Sequence, residues 1–159
     1  SGSTRTYKLT VVRKEAAKPT GTLSSTKYTV GDKYITGITP GTKASNFLAG
    51  LSVDGGTAKL VGANGKQNQG LAATGNKVEV YVDNKKKTSY EVVIYGDVNG
   101  DGEINVLDMI KVNRHILGLD KLSGVYLVAA DANRKGDGLN VLDMIYINRH
   151  ALGLSTIKQ

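Results

Sequence analysis

The sequence predicts an α+β chain of two unlike parts, a small β-rich domain followed by an all-α unit built as a duplication. Three observations predict it. Alternating β-branched and aromatic runs occupy the first 95 residues, a fifteen-residue string recurs 35 positions later in the remainder, and the charge divides between the two parts. Of the formal net charge of +7, residues 1–95 carry 14 Lys and Arg against 6 Asp and Glu, a net of +8, whereas residues 96–159 carry 7 against 8, a net of −1. A chain of 159 residues, 40% of them hydrophobic, suffices for one ordinary core or two small ones but is too short for a large enzyme barrel. No apolar run approaches the roughly 20 residues that span a bilayer, so membrane insertion is not expected. Cysteine is absent, which removes disulfides, thiolate zinc sites and a cysteine nucleophile together. No secretory signal or lipidation motif is visible, and Ser1-Gly2-Ser3 has the look of an expression scar, so the chain reads as a fragment.

The elements follow in order. Residues 6–12 alternate and are β-branched, reading as a strand that closes a preceding domain, and residues 14–22, with Pro19 and Gly21, read as a linker. Residues 1–22 are therefore set apart from a β-rich domain at 23–95. Its short strand candidates are residues 27–30, 34–38 and 58–61, separated by Gly31-Asp32, Thr39-Pro40-Gly41 and Gly62-Ala63-Asn64-Gly65. Residues 42–51 break the alternation and read as a short helix ended by Gly50. Residues 77–82 and 89–95 form a hairpin across residues 83–87. The Lys85-Lys86-Lys87 run before Thr88-Ser89 reads as a solvated turn, and no nucleic-acid partner is expected.

Residues 105–119 (NVLDMIKVNRHILGL) recur as residues 140–154 (NVLDMIYINRHALGL). Apolar positions at helical spacing, Met109, Val112 and Ile116 with Met144, Ile147 and Ala151, predict two amphipathic helices, each capped by Asn and ended by Gly118 or Gly153. Ahead of the first helix lies Asp97-Val98-Asn99-Gly100-Asp101-Gly102-Glu103-Ile104-Asn105-Val106-Leu107-Asp108. Oxygen-bearing side chains stand at the first, third, fifth, ninth and twelfth positions, Gly102 at the sharp turn, and the Glu103 carbonyl at the seventh, the spacing of a calcium loop. Hard Ca²⁺ takes about six to eight oxygens; Mg²⁺ fits less well because it keeps its water. Asp108 stands where the sensor pattern has Glu.

The second loop, residues 131–143, has 13 residues where the first has 12, and Lys135 takes the place of a fifth-position carboxylate. Aligning Asp137-Gly138 with Asp101-Gly102 lets Asp131, Asn133, Asp137, Asn140 and Asp143 surround an ion on a distorted path, with weaker affinity. Two calcium ions are expected, the first more firmly.

A loop with only an exiting helix, duplicated and entered from strand-like residues 92–96, resembles the dockerin family, the modules that attach extracellular bacterial enzymes to cohesin domains of scaffold proteins. Gly96-Asp97-Val98-Asn99-Gly100-Asp101-Gly102 and the closing Leu117-Gly118-Leu119 carry the resemblance, which covers about residues 96–154. The domain at 23–95 is similar to the X-type modules that precede dockerins. The resemblance implies an immunoglobulin-like or X-module-like domain followed by an all-α, EF-hand-like dockerin at residues 96–159. It implies a non-catalytic adaptor, monomeric when unbound, that binds a cohesin of a scaffoldin or cell-surface protein and anchors a secreted enzyme or adhesin outside a bacterial cell. The positions that meet a cohesin map onto Val106, Leu107, Lys111, Asn113 and Arg114, and onto Val141, Leu142, Tyr146, Asn148 and Arg149. Val-Leu stands twice where many dockerins carry small hydroxyl residues, which implies a more apolar contact. Met109, Ile110, Met144 and Ile145 read as core; His115 and His150 read as solvent-facing or packed against the other copy, and are poor calcium ligands.

Rival functions fare less well. Asp32, Asp54, Glu79, Asp83 and Glu91 are sparse and mostly in turns or on exposed strand positions, and both histidines fall in the duplicated helices, so no catalytic constellation forms. The alternative is a carbohydrate-binding β-domain with a calcium-stabilised tail, but the domain has no Trp, and Tyr28, Tyr34, Tyr81, Tyr90 and Tyr95 read as easily as core or cross-strand residues. A calcium sensor that opens a groove requires entering helices, which the sequence does not show.

Overall fold

A computed structural model describes residues 2–8 and 10–159. Leu9, within the strand expected at residues 6–12, lies outside the described residues; the others of that stretch are exposed and form no strand. A strand exists only against a partner that takes its backbone hydrogen bonds, and no described strand runs beside this one. The end of the linker is fastened. Asp54 accepts the Thr20 N–H through its side chain (2.9 Å) and the Gly21 N–H through its carbonyl (3.0 Å).

Among the described residues, the N-terminal part contains β1 (Leu23–Ser24), β2 (Thr29–Val30), β3 (Tyr34–Thr36), α1 (Ala44–Ala49), β4 (Ser52–Val53), β5 (Thr57–Val61), β6 (Lys77–Val82) and β7 (Lys85–Val92). β1 and β4 pair alone, and the other strands form a sheet in the order β2-β3-β7-β6-β5, antiparallel except for β3 against β7. The hairpin differs from expectation. Asp83 and Asn84 adopt φ of 50° and 60°, the left-handed pair of a two-residue turn, so Lys85 pairs with Val82 and the lysine run lies in β7, not in the turn.

The C-terminal part contains α2 (Val106–Ile116), α3 (Gly124–Ala129) and α4 (Val141–Ala151). α3 is a correction to the sequence reading, because it gives the second loop an entering helix while the first is entered from β7. The duplicated helices are capped as expected. Asn105 Oδ1 and Asn140 Oδ1 each accept the N–H two residues on at 2.8 Å, and Asp108 and Asp143 return a carboxylate to the cap N–H. The expected apolar stripe is trimmed: Val112 and Ile147 are fully buried, Met109 and Met144 half-buried, and Ile116 and Ala151 exposed. None of the helices is long and apolar enough to cross a membrane.

One apolar core runs through both parts. Ile35, Phe47, Leu60 and Val78 belong to the same buried cluster as Val98, Ile104, Val112, Ile147 and Ile157. Ile157 brings the tail after α4 back to the start of the first loop, where Gln159 accepts the Tyr95 N–H (2.7 Å) and donates to the Tyr95 carbonyl (2.9 Å). Ile157→Ala is expected to cost about 3 kcal/mol, the range for truncating a buried isoleucine. Urea unfolding checks it; a loss under about 1 kcal/mol would mean that the tail adds little to the core.

Candidate metal centre and partner face

The first loop turns around two buried carboxylates. Asp97 accepts four backbone N–H groups, those of Gly100 (2.8 Å) and Asp101 (3.1 Å) on one oxygen and those of Thr74 (2.8 Å) and Gly102 (3.1 Å) on the other. Asp108 accepts Val98 N–H (2.8 Å) and Asn99 N–H (3.0 Å) on one oxygen and the Asn105 cap N–H (2.9 Å) on the other, tying the start of the loop to the start of α2. Half-buried Asn99 and exposed Asp101 form the rim: Asn99 Oδ1 accepts the Asp101 N–H, and Asp101 Oδ1 accepts the Glu103 N–H, each at 2.9 Å. The Glu103 side chain is exposed and Asn105 half-buried. Among the described residues no three His, Cys, Asp or Glu side chains stand together as a ready-made metal cluster.

Charge supplies the fit to a cation. Neither Asp97 nor Asp108 is in a salt bridge, although both are fully buried. Burial, reinforced by Asp108 and Asp101, pushes the Asp97 carboxyl up to about 6 against the N–H groups of Thr74 and Gly100, and burial likewise raises Asp108. A hard divalent cation, if held by Asp97, Asn99, Asp101, Asn105 and Asp108, would supply the counter-charge that these buried carboxylates lack. A carboxyl raised in the folded state contributes stability below its unfolded value and loses it as pH rises through the folded one. Chelator-treated protein is therefore expected to lose about 3 kcal/mol through Asp97 between about pH 4 and pH 6. The rise in melting temperature caused by calcium is accordingly expected to be larger near pH 7.5 than near pH 5. Equal rises would mean that Asp97 stays ionised throughout.

The second loop shares this frame but in a register that the sequence alignment did not give. Asp131 accepts the N–H of Lys135 (3.2 Å) and Gly136 (3.1 Å), as Asp97 accepts those of Asp101 and Gly102. Gly136, with φ of 64°, thus corresponds to Gly102, with φ of 88°, and Arg134, with φ of 58°, corresponds to Gly100. The extra residue falls after Gly136, not before Asp137. Lys135 keeps the fifth position, and Asp137 is exposed in the stretch leading to α4. Asn133 accepts the Lys135 N–H through Oδ1 (2.9 Å), and its amide nitrogen is buried without a partner. Asp143 repeats the part of Asp108, accepting the N–H of Asn133 and Asn140 at 3.0 Å each.

Beyond the loops, α2 and α4 present matching outer faces. Val106 and Leu107 are 52% and 55% exposed, and Val141 and Leu142 are 53% and 45% exposed. Asn113, Arg114, Asn148 and Arg149 are exposed with them. Ile110 and Ile145, expected in the core, lie outside it at 45% and 43% exposure; their placement at three or four residues from each Val-Leu pair was the signal available. Lys111 is half-buried beside a groove of about 300 Å³ with Asn99, Asp120 and Tyr126. Its counterpart Tyr146 borders another groove, of about 320 Å³, with Ile145, Arg149 and Ser155.

Residues 95–152 match the family model described as the dockerin type I domain. The C-terminal part of the chain is a dockerin domain. No curated protein and no solved structure matches the chain. Dockerins are calcium-binding, non-catalytic modules that bind cohesin domains, and the match spans both loops, α2 and α4.

Two further groups of dockerin residues were not foreseen. His115 Nδ1 accepts the Leu122 N–H (2.8 Å) and His150 Nδ1 the Ile157 N–H (3.1 Å), so each histidine pins the segment leaving its helix. Burial holds His150 below its ordinary pKa, which keeps that acceptor neutral. Arg134 stacks 3.6 Å from the centre of the Tyr95 ring and donates to the Lys158 carbonyl (3.2 Å), covering the aromatic. The remaining tyrosines offered as carbohydrate platforms are likewise engaged. Tyr28 is buried against Phe47, Lys33 and Lys59 lie over Tyr34 and Tyr81, and Tyr90 packs on the core.

Proposed function

We propose that the chain is a calcium-dependent adaptor whose dockerin binds a cohesin of a scaffold or cell-surface protein, anchoring a secreted bacterial enzyme or adhesin, with residues 23–95 as an X-module-like support. The observation that carries the reading is the repetition of an exposed Val-Leu and Asn-Arg face on both α2 and α4. Exposed aliphatic side chains rimmed by Arg and Asn have the composition of a protein-binding patch. Calcium acts by holding the loops that set the start of each helix, with Asp97, Asn99, Asp101, Asn105, Asp108 and the Glu103 carbonyl around one ion. Asp131, Asn133, Asn140 and Asp143, with the Asp137 carbonyl at the seventh position in place of that of Glu103, surround a second. The Lys135 ammonium lowers the negative charge of the second loop, so that ion is held less tightly. Nothing in the reading calls for catalysis by this chain.

The test is capture of the chain by a panel of immobilised cohesin domains in calcium and in chelator. Capture by at least one cohesin that is lost on chelation is expected. Failure with every cohesin, or capture indifferent to chelator, would sink the adaptor reading.

A further inference from the structure

The first loop is hydrogen-bonded to the β-rich part, whereas the second meets it through Arg134 on the Tyr95 ring, with no hydrogen bond from it to Asp131 among the described residues. The segment between β5 and β6 reaches the first loop through Ala72 and Thr74. Thr74 donates its backbone N–H to Asp97 Oδ2 (2.8 Å), a buried contact. Thr74 is itself held by its hydroxyl, which accepts the Ile94 N–H (3.0 Å) and donates to the Ile94 carbonyl (3.2 Å). On the other side Gly41 donates its N–H to the Gly102 carbonyl (2.8 Å). The two glycines of the loop exist for this approach: a Cβ on Gly102 would stand 2.6 Å from the Ala72 carbonyl oxygen, and one on Gly100 would stand 2.8 Å from that of Thr74. In the second loop Gly136 and Gly138 have open space around the same atom, and the hydrogen bonds to the Asp131 side chain come only from Lys135 and Gly136 of its own loop.

From this asymmetry we infer that the β-rich part is a working component of the first calcium site, with Thr74 as the positioning residue that holds Asp97 in its ligating orientation. The inference rests on the reading of the first loop as a calcium loop. A hydrogen bond to the charged carboxylate from outside the loop removes freedom that the ligand would otherwise lose on binding the ion. Coupling is reciprocal: if the 71–76 segment strengthens calcium binding, calcium must strengthen the 71–76 segment by the same factor. The second loop, whose Asp131 lacks such a contact, binds its ion without strengthening the 71–76 segment.

The experiment uses the full chain, with calcium alone as the probe and the backbone amide resonances of Gly100 and Gly136 reporting the two loops separately. Thr74→Val keeps the N–H and removes the hydroxyl that holds it. The expected result is a calcium midpoint at Gly100 raised about tenfold with that at Gly136 unchanged, since each tenfold corresponds to one modest hydrogen-bond contribution. A parallel measurement needs no variant: amide exchange of residues 71–76 in the unmodified chain is expected to slow when calcium is added. A folded Thr74→Val chain with an unshifted Gly100 midpoint overturns the inference, as does calcium that slows exchange in residues 97–108 but leaves residues 71–76 unchanged. If calcium moves neither loop in the unmodified chain, the calcium reading falls and takes this one with it.

Discussion

Replacing Val106-Leu107 and Val141-Leu142 together by Asp-Asp is expected to weaken cohesin capture at least a hundredfold while leaving the far-ultraviolet circular dichroism unchanged. The four side chains are all exposed, at 45% to 55%, so the fold does not depend on them. In the proposed complex they become buried, and each carboxylate put in their place would be desolvated with no counter-charge arranged for it. Replacing one pair alone is expected to cost less than about tenfold, because the other helix presents the same residues at the same helical positions. Calorimetric titration against the cohesin identified by the panel checks both. A full loss from the first pair alone would assign docking to one orientation, led by α2. The groove beside Tyr146, which Lys111 does not reproduce, is where the two orientations differ most.

Asp108→Ala is expected to be the most damaging single change to the fold itself. It strands the N–H groups of Val98, Asn99 and Asn105, the first of them buried, and removes half of the cap of α2. Each orphaned buried donor costs about 1 to 3 kcal/mol and a lost cap about 1, so a loss of at least about 3 kcal/mol is expected in urea unfolding with calcium present. Asp143→Ala strands only two such groups, from Asn133 and Asn140, and is expected to cost less. If the order were reversed, the second loop rather than the first would be the principal clamp of the dockerin.

Much of the site was legible because its determinants are local. Asn before the helix, Asp three residues on, and Gly at the loop turn act within a dozen residues, so the spacing of Asp97, Asn99, Asp101 and Asp108 and the caps of α2 and α4 followed from sequence order. What escaped depends on contacts distant in sequence or on short ambiguous runs. α3 consists of Gly-Val-Tyr-Leu-Val-Ala, six residues whose β-branched content fits a strand as well as a helix. The second loop was misregistered because glycine stands at both 136 and 138, and the residue that decides between them is Arg134, which adopts a left-handed backbone where the first loop has Gly100. Nothing in residues 71–76 marks Thr74 as a neighbour of Asp97; only the fold brings positions 23 apart together. The histidines were placed on the solvent side or against the other copy, whereas the chain folds back onto each from seven residues ahead.

The lysine run acquires a meaning from its place in β7. β3 pairs with β7 only at Glu91 and Val92, so on that side the stretch from Lys85 to Ser89 has no strand beside it among the described residues. An open edge of this kind is a template for the sheet of a neighbouring molecule. Lys85, Lys86 and Lys87 put repulsion between any two such edges, with only Lys86 offset by Glu79. The lysines that the sequence sets beside one another thus act on this edge as a charged barrier to sheet-to-sheet pairing between molecules.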